Sequence, residues 1–244
     1  MKDIVLKVED LTVAYQNMPV LWDVDVSVPE GVLAAIIGPN GAGKSTLIKA
    51  TLGLIKPLSG TVSFFGGPYK KNYQRIGYVP QKEAVNWDFP AIVLDVVTMG
   101  LYGKIGWFKR VRKSDRKSAL AALKQIGMEE FAQRHISELS GGQQQRVFLA
   151  RAIVQDADLY FMDEPFAGID IKTEKVIIEC LRAMRKRGKT VIVVHHDLNT
   201  VKEYFDYVLM VNKVLVASGP TETTFTPENI KIAFNSEMPL REEV

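Results

Sequence analysis

A single cysteine, Cys180, stands among 244 residues. One thiol closes no intramolecular disulfide, so the chain is not a small stapled scaffold. Cys180 instead reads as an inert helix residue in a reducing, cytosolic setting. Histidine is equally scarce. His135, His195 and His196 stand in no metal-ligand spacing, which argues against a structural zinc site. The longest uninterrupted apolar run is Val32-Leu33-Ala34-Ala35-Ile36-Ile37. A spanning helix needs about twenty such residues, so the chain is not expected to cross a bilayer by itself. The first thirty residues lack the apolar core of a signal peptide. Glycine and proline, at 18 and 11, are too few for a collagen-like or low-complexity chain. A net charge of +3 is too small to argue for nucleic acid as a partner.

The remaining composition is that of a globular protein, with 47% hydrophobic, 24% charged and 9% aromatic residues. The length suits one large domain, or a core carrying a substantial insertion. Charge is nevertheless uneven. Between Lys104 and Lys117 stand Lys104, Lys109, Arg110, Arg112, Lys113, Arg116 and Lys117 against one acid, Asp115. Such a run reads as a solvated face, or as a surface close to anionic headgroups or an acidic partner.

The first thirty residues read as β-structure. Val20, Trp22, Val24, Val26 and Val28 alternate with Asp23, Asp25 and Ser27, and Leu21 interrupts the pattern. A β-rich run from Ile4 to Tyr15 precedes them, across a turn expected at Gln16-Asn17-Met18-Pro19, so the pair predicts an antiparallel hairpin. The pattern then changes. Val32–Ile37, Leu159–Met162, Val191–Val194 and Tyr207–Val211 are short continuous apolar runs, the mark of strands buried on both faces of a parallel sheet. From about Asn86 to Asp156 the periodicity is helical, over Asp95–Met99, Asp115–Ile126 and Gly142–Val154. The expectation is an α/β core interrupted by a helical insertion.

Gly38-Pro39-Asn40-Gly41-Ala42-Gly43-Lys44-Ser45-Thr46 fits the phosphate-binding pattern G-x-x-x-x-G-K-[ST] between an apolar strand and a helical run. Its glycines let backbone N–H groups close around phosphate oxygens at a helix N-terminus. Lys44 then reaches the β- and γ-phosphates of ATP, and Ser45 offers an oxygen to Mg²⁺. Leu159–Met162 ends in two carboxylates. Asp163 stands where a strand-terminal acid holds Mg²⁺, and Glu164 is placed to act as general base on an attacking water. Leu139-Ser140-Gly141-Gly142-Gln143 opens a helix with a hydroxyl and two glycines, a second anion site built from backbone donors. One nucleotide has no need of two such sites from one subunit, whereas two copies arranged head to tail do.

This combination resembles the ATP-binding subunit of ABC transporters along essentially the whole chain. The resemblance implies a P-loop NTPase core, mostly a parallel sheet, with an antiparallel β subdomain at the N-terminus. It also implies an inserted α-helical subdomain. The expected bounds are 1–85 and 157–244 for the core and 86–156 for the helical part, which carries Ser140–Gln143. Gln81 resembles the glutamine that senses Mg²⁺ and water, and His196 the histidine that contacts the γ-phosphate, ahead of its neighbour His195. Asp170 resembles the loop aspartate that communicates across the dimer, although Ala167-Gly168-Ile169 departs from the usual Ser-Ala-Leu. Tyr15 resembles the aromatic that stacks on adenine.

The chain extends 48 residues past His196, so a large regulatory domain is not expected. With no membrane segment either, the permease is expected to be a separate integral membrane polypeptide. The stretch Val79–Gly100, with Gly106-Trp107-Phe108, resembles the manganese/zinc/iron importer group. In that group the region after the glutamine docks a permease helix, which implies that Trp87, Phe89 and Pro90 form part of the docking groove rather than only packing the helical insertion, and that an extracellular metal-binding protein delivers the cargo. The resemblance therefore implies a peripheral ATPase on the cytoplasmic face of the membrane, powering metal import as a homodimer. Three other classes compete. An importer ATPase for iron–siderophore or haem keeps the same motifs. A soluble ABC-type ATPase acting on DNA or ribosomes would bring coiled coils or a second cassette. A P-loop kinase gives no reason for Leu139–Gln143.

Overall fold

In the computed structural model two aspartates bend the N-terminal hairpin. The structure describes residues 3–16, 18–82, 90–106 and 110–235. Strand β1 (Ile4–Tyr15) pairs antiparallel with β2 (Met18–Pro29). Asp10 and Asp23 take positive φ angles of 51° and 48°, and the register shifts beside each. Side chains stitch these bulges together: the Asp10 N–H donates to Asp25 Oδ1 at 2.9 Å, and the Asp23 N–H to Thr12 Oγ1 at 3.1 Å. A bulge inserts one residue and so reverses which face the following side chains take. The simple alternation expected along β2 is thereby corrected. Leu21 is fully buried and Trp22 is 55% exposed, while Val24, Val26 and Val28 return to the core. Met18 and Pro19, expected in the connecting turn, belong to β2.

The chain divides into two compact units, one comprising Met1–Lys71 with Val194–Val244 and the other Asn72–Val193. In the first unit the hairpin leads to β3 (Leu33–Ile37), α1 (Lys44–Thr51), β4 (Ser59–Phe64) and the short α2 (Tyr69–Asn72). Strand β4 adds to β1, giving an antiparallel sheet in the order β2-β1-β4.

The second unit runs through β5 (Ile76–Val79), α3 (Val93–Thr98), α4 (Tyr102–Ile105), α5 (Lys113–Gln125) and α6 (Gly141–Gln155). It continues with β6 (Leu159–Met162), α7 (Ile171–Lys186) and β7 (Thr190–Val194). Strands β5, β6 and β7 pair in parallel, Ile76 opposite Leu159 and Leu159 opposite Thr190. All four residues of β6 and all five of β7 are buried, as their unbroken apolar runs require. Tyr160 is the polar exception within β6. Its hydroxyl accepts the Ala157 N–H at 2.7 Å, and burial pushes its ionisation far above the ordinary tyrosine range. Helix α6 supplies the apolar core of the helical region through Val147, Leu149, Ala150 and Ile153. Helix α7 buries Ile177, Ile178, Leu181 and Met184 at three- and four-residue spacing. Cys180 lies buried on α7, where burial pushes its thiol up to about 11, so it is the inert thiol that the composition suggested.

The chain returns to the first unit through α8 (Val201–Tyr204), β8 (Tyr207–Asn212), β9 (Val214–Pro220), α9 (Thr221–Thr224) and α10 (Pro227–Phe234). Strand β3 pairs in parallel with β8, Ala34 opposite Tyr207, and β9 pairs antiparallel with β8. The sheets are thus mixed, with a parallel core and antiparallel additions, as the α/β expectation required. No helix among the described residues is long and apolar enough to cross a membrane.

Candidate functional site

The phosphate-binding loop leaves β3, whose five residues are all buried. Two glycines are required here by space. A Cβ on Gly38 would fall on the carbonyl oxygen of Val211 in β8, so only a bare backbone can leave the sheet at this point. A Cβ on Gly43 would lie 2.5 Å from Leu21 Cδ2 and 3.0 Å from the Val20 carbonyl, and its φ of 93° also favours glycine. The bulge at Asp23 that turns Leu21 inward is therefore what seats the loop against β2. Ala42 anchors the loop from the other side, its carbonyl accepting the Lys213 N–H at 2.9 Å. Pro39 is half-buried, Asn40 and Gly41 are exposed, and Ser45 and Thr46 are half-buried in the first turn of α1. That turn carries no acidic residue of its own, and the positive end of a helix dipole favours an anion. The Lys44 ammonium is buried and folds back over its own loop, donating to the Gly38 carbonyl at 2.9 Å and the Pro39 carbonyl at 2.8 Å.

The first unit also carries the two adjacent histidines. The His195 N–H donates to the Ile36 carbonyl at 3.0 Å, which brings this segment beside the end of β3, two residues before Gly38. His195 is 4% exposed, while His196 is exposed. Tyr15 is 47% exposed at the end of β1, opposite Met18.

The second unit carries the carboxylates. Asp163 follows β6, has no exposed surface, and donates its N–H to the Val79 carbonyl at 2.9 Å, so it lies level with the end of β5. Its charge and, to a larger extent, burial push the Tyr78 hydroxyl up to about 12. Glu164 takes a φ of 54°, rare for a residue with a long side chain and a form of strain concentrated at functional turns. Strand alternation stops there, and Asp163 and Glu164 follow different paths out of β6. Gln81, two residues past β5, is half-buried.

Ser140 caps α6. Its N–H donates to Gln143 Oε1 at 2.9 Å, and the Gln143 N–H donates to its hydroxyl at 3.4 Å, a reciprocal capping box. Gly141 and Gly142 form the first turn, which contains no acid. A Cβ on Gly141 would land on Lys82 Nζ, so the lysine head rests against the start of α6. Within this unit the residue after Gln81 thus meets Ser140–Gln143, a contact that no motif spacing announces. The only sequence signal was a cation immediately after Gln81. Asp170 has a local task as well: its carboxylate caps α7, accepting from the Thr173 N–H at 2.9 Å and the Thr173 hydroxyl at 2.8 Å. The Thr173 N–H and hydroxyl together hold that carboxyl below the usual range.

The sequence-predicted residues therefore fall into two sets. Gly38–Thr46, His196 and Tyr15 lie in the first unit, and Gln81, Ser140–Gln143, Asp163 and Glu164 in the second. Of the docking residues, Pro90 is exposed, and Trp87 and Phe89 lie outside the described residues. Lys104, Arg110, Arg112, Lys113, Arg116 and Lys117 are all exposed, as a solvated basic face requires, and Lys109 lies outside the described residues.

The chain is similar along most of its length to proteins already known. The family model described as ABC transporter matches residues 21–167. The chain is 58% identical over 229 residues to the zinc transport system ATP-binding protein TroB of Treponema pallidum, covering 94% of this chain and 86% of that protein. It is 54% identical over 233 residues to the manganese transport system ATP-binding protein MntB of Bacillus subtilis, covering 96% and 93%. Among solved structures, the dimeric post-hydrolysis state of the ATP-binding cassette MJ0796 bound to ADP and Pi is similar. The TM-score is 0.76 at 28% identity, covering 88% of this chain and 98% of that one.

Proposed function

The chain belongs to the ABC transporter family as an ATP-hydrolysing subunit, and from that premise we propose that it powers import of a divalent metal ion through a separate membrane permease. Manganese is the favoured cargo, with zinc or iron as alternatives. The observation that carries this reading is identity above one half, over nearly the whole chain, to ATP-binding proteins named for zinc and manganese transport. The cargo belongs to the permease and binding protein, since none of the residues assigned below has a role toward it.

The residue roles follow from donor chemistry. Loop amides of Gly38–Gly43 and the Lys44 ammonium bind the β- and γ-phosphates, with the dipole of α1 adding to their field. Tyr15 stacks on adenine. The hydroxyl of Ser45, the amide oxygen of Gln81 and the carboxylate of Asp163 each offer the kind of oxygen donor that a hard divalent cation takes, so these three are the proposed Mg²⁺ ligands. Mg²⁺ held by them would supply charge neutralisation on the phosphate oxygens. Glu164 accepts a proton from the attacking water, and His196 donates to the γ-phosphate oxygens as charge redistributes. Ser140, Gly141, Gly142 and Gln143 present backbone donors to the ATP of a second copy, whose own Ser140–Gln143 does the reverse. Two nucleotides are thus enclosed by a head-to-tail homodimer, and a similar ATP-binding cassette bound to ADP and Pi is itself dimeric. Residues 86–156 then act as the helical subdomain that transmits closure to the permease. Trp87, Phe89 and Pro90 form its docking groove, on the cytoplasmic face of the membrane. An extracellular metal-binding protein completes the system.

The test is Glu164→Gln in the full chain. Removing only the base leaves ATP binding intact, lowers turnover by about 100-fold or more, and accumulates closed dimers on size-exclusion chromatography with ATP. Wild-type turnover would remove Glu164 from the role of base. Accumulation of manganese, zinc and iron, each measured in cells lacking the protein, identifies the cargo. Normal uptake of all three would refute metal import.

A further inference from the structure

Two histidines stand side by side at the end of β7, and the fold treats them in opposite ways. His196 is exposed, while His195 is buried, its ring 5.0 Å from that of Phe205 and 6.3 Å from that of Tyr204. The buried ring is not mere packing. Its Nε2 lies 2.7 Å from the hydroxyl of Thr200, and that hydroxyl donates to the Asp197 carbonyl at 3.1 Å. A hydroxyl has a single hydrogen, and a carbonyl can only accept. With that hydrogen on Asp197, the imidazole Nε2–H is the donor to Thr200, a tautomer assigned by this bookkeeping. Burial keeps the imidazole neutral by pushing it down to about 4, against the opposing charge of Asp197.

The chain on either side of His196 is therefore held. Upstream, the His195 N–H is bound to the Ile36 carbonyl at 3.0 Å, at the edge of the phosphate loop. Downstream, the Asp197 carbonyl accepts the Thr200 hydroxyl and, at 3.3 Å, the Thr200 N–H. The Asp197 carboxylate is occupied too, accepting from the Asn199 N–H at 2.9 Å and the Asn199 amide nitrogen at 3.0 Å. Thr200 then starts α8, its carbonyl accepting the Tyr204 N–H at 2.9 Å. The exposed imidazole of His196 thus projects from a turn in which the hydrogen bond between His195 and Thr200 ties the residue before it to the residue that starts α8.

We propose that His195 and Thr200 are positioning residues for ATP hydrolysis, forming a latch that fixes the direction in which His196 meets the γ-phosphate. This rests on the reading of His196 given under the proposed function. A turn without the latch keeps its backbone bonds but lets the His196 side chain wander. A displacement of about 1 Å at a reacting group costs on the order of 100-fold in rate. Binding of ATP, carried by the loop and Lys44, does not depend on it.

The experiment is a double-mutant cycle on the full chain, reading kcat and KM for ATP together with binding of a fluorescent ATP analogue. Thr200→Val keeps the shape and removes the hydroxyl, and is expected to lower kcat about 10- to 100-fold with nucleotide affinity within about twofold of wild type. Thr200→Ser restores the hydroxyl and returns kcat to within about threefold. In a His196→Ala background, Thr200→Val is expected to have no further effect, because the latch acts through His196. An unchanged kcat in Thr200→Val, or an equal loss with and without His196, overturns the latch. Wild-type turnover in His196→Ala alone overturns the role of His196 itself. That last outcome is distinct from failure of the latch, in which His196→Ala is impaired and Thr200→Val is not.

Discussion

His195 makes the stability of the first unit depend on pH over a defined window. In the unfolded chain an imidazole binds its proton near pH 6.5, whereas burial holds that of His195 down to about 4. Between those values the unfolded state carries the extra proton, so stability rises with pH across the window and is lost on acidification. Above pH 6.5 both states are neutral and the group contributes no slope. Below about pH 4 both are charged and the loss is complete, at about 3 kcal/mol for this separation. From pH 7 to pH 5 the share is about 2 kcal/mol by the same linkage. The comparison that isolates it is His195→Asn, which keeps a donor facing Thr200 and cannot titrate. Urea denaturation at pH 7 and pH 5, followed by far-UV circular dichroism, gives the change in unfolding free energy for each protein. Contributions from the rest of the molecule are common to the two proteins and cancel in the comparison. Wild type is expected to lose about 2 kcal/mol more than the variant on going to pH 5. Parallel losses would refute the assignment of His195 as a buried neutral imidazole.

Three further perturbations test other joints of the molecule. Gly38→Ala places a Cβ on the Val211 carbonyl, so it is expected to lower stability by about 2 kcal/mol or more and to weaken ATP binding. Unchanged urea midpoints and affinity would contradict the need for bare backbone there. Lys44→Ala removes the cation now held by the Gly38 and Pro39 carbonyls, and fluorescent-ATP titration is expected to show loss of binding; retained affinity would dismiss the phosphate-loop assignment. Tyr160→Phe leaves the buried Ala157 N–H without its acceptor, at a cost of about 1–3 kcal/mol in unfolding free energy with ATP affinity unchanged. A wild-type urea midpoint would mean that the N–H finds another partner.

The parts of this protein that could be read from sequence share one property: their chemistry forces residue types into contiguous positions. A phosphate loop needs glycines at Gly38 and Gly43 because neighbouring backbone or side chains occupy the space of a Cβ, and the lysine and hydroxyl must follow at the next helix turn. A strand buried on both faces must be apolar throughout, so Val191–Val194 and Leu159–Met162 announced themselves within a residue of their observed bounds. Ser140 and Gln143 are legible for a different reason, since a capping box fixes both residue types three apart. Strand β4 and helix α10 escaped, being short, largely exposed elements; β4 pairs with β1 some fifty residues earlier, and α10 buries only Ala233 fully, which leaves little apolar pattern to read.

What the sequence hides is set by bulges and by contacts across the chain. Nothing in Val20–Val28 marks Asp23 as the residue that adopts a positive φ, and yet that bulge sends Leu21 inward to abut Gly43. Lys82 and Gly141 are separated by most of the helical region, so their meeting was invisible although each neighbours a recognised motif. The histidine pair is the sharpest case. Consecutive residues leaving a strand point to opposite sides, so one of two identical side chains had to turn inward, but the sequence alone does not fix which. The answer comes from Thr200, five residues on, whose hydroxyl lies 2.7 Å from the inward ring. Any chain with His-His at this place but no hydroxyl at the position of Thr200 lacks a buried partner for the first histidine, and burying an unsatisfied imidazole N–H costs about 1–3 kcal/mol. Where no hydroxyl stands at the position of Thr200, the first position is therefore expected to carry an apolar or small residue in place of histidine. The pairing of a first histidine with a hydroxyl five residues later is thus the pattern in which the orientation of the second becomes legible from sequence.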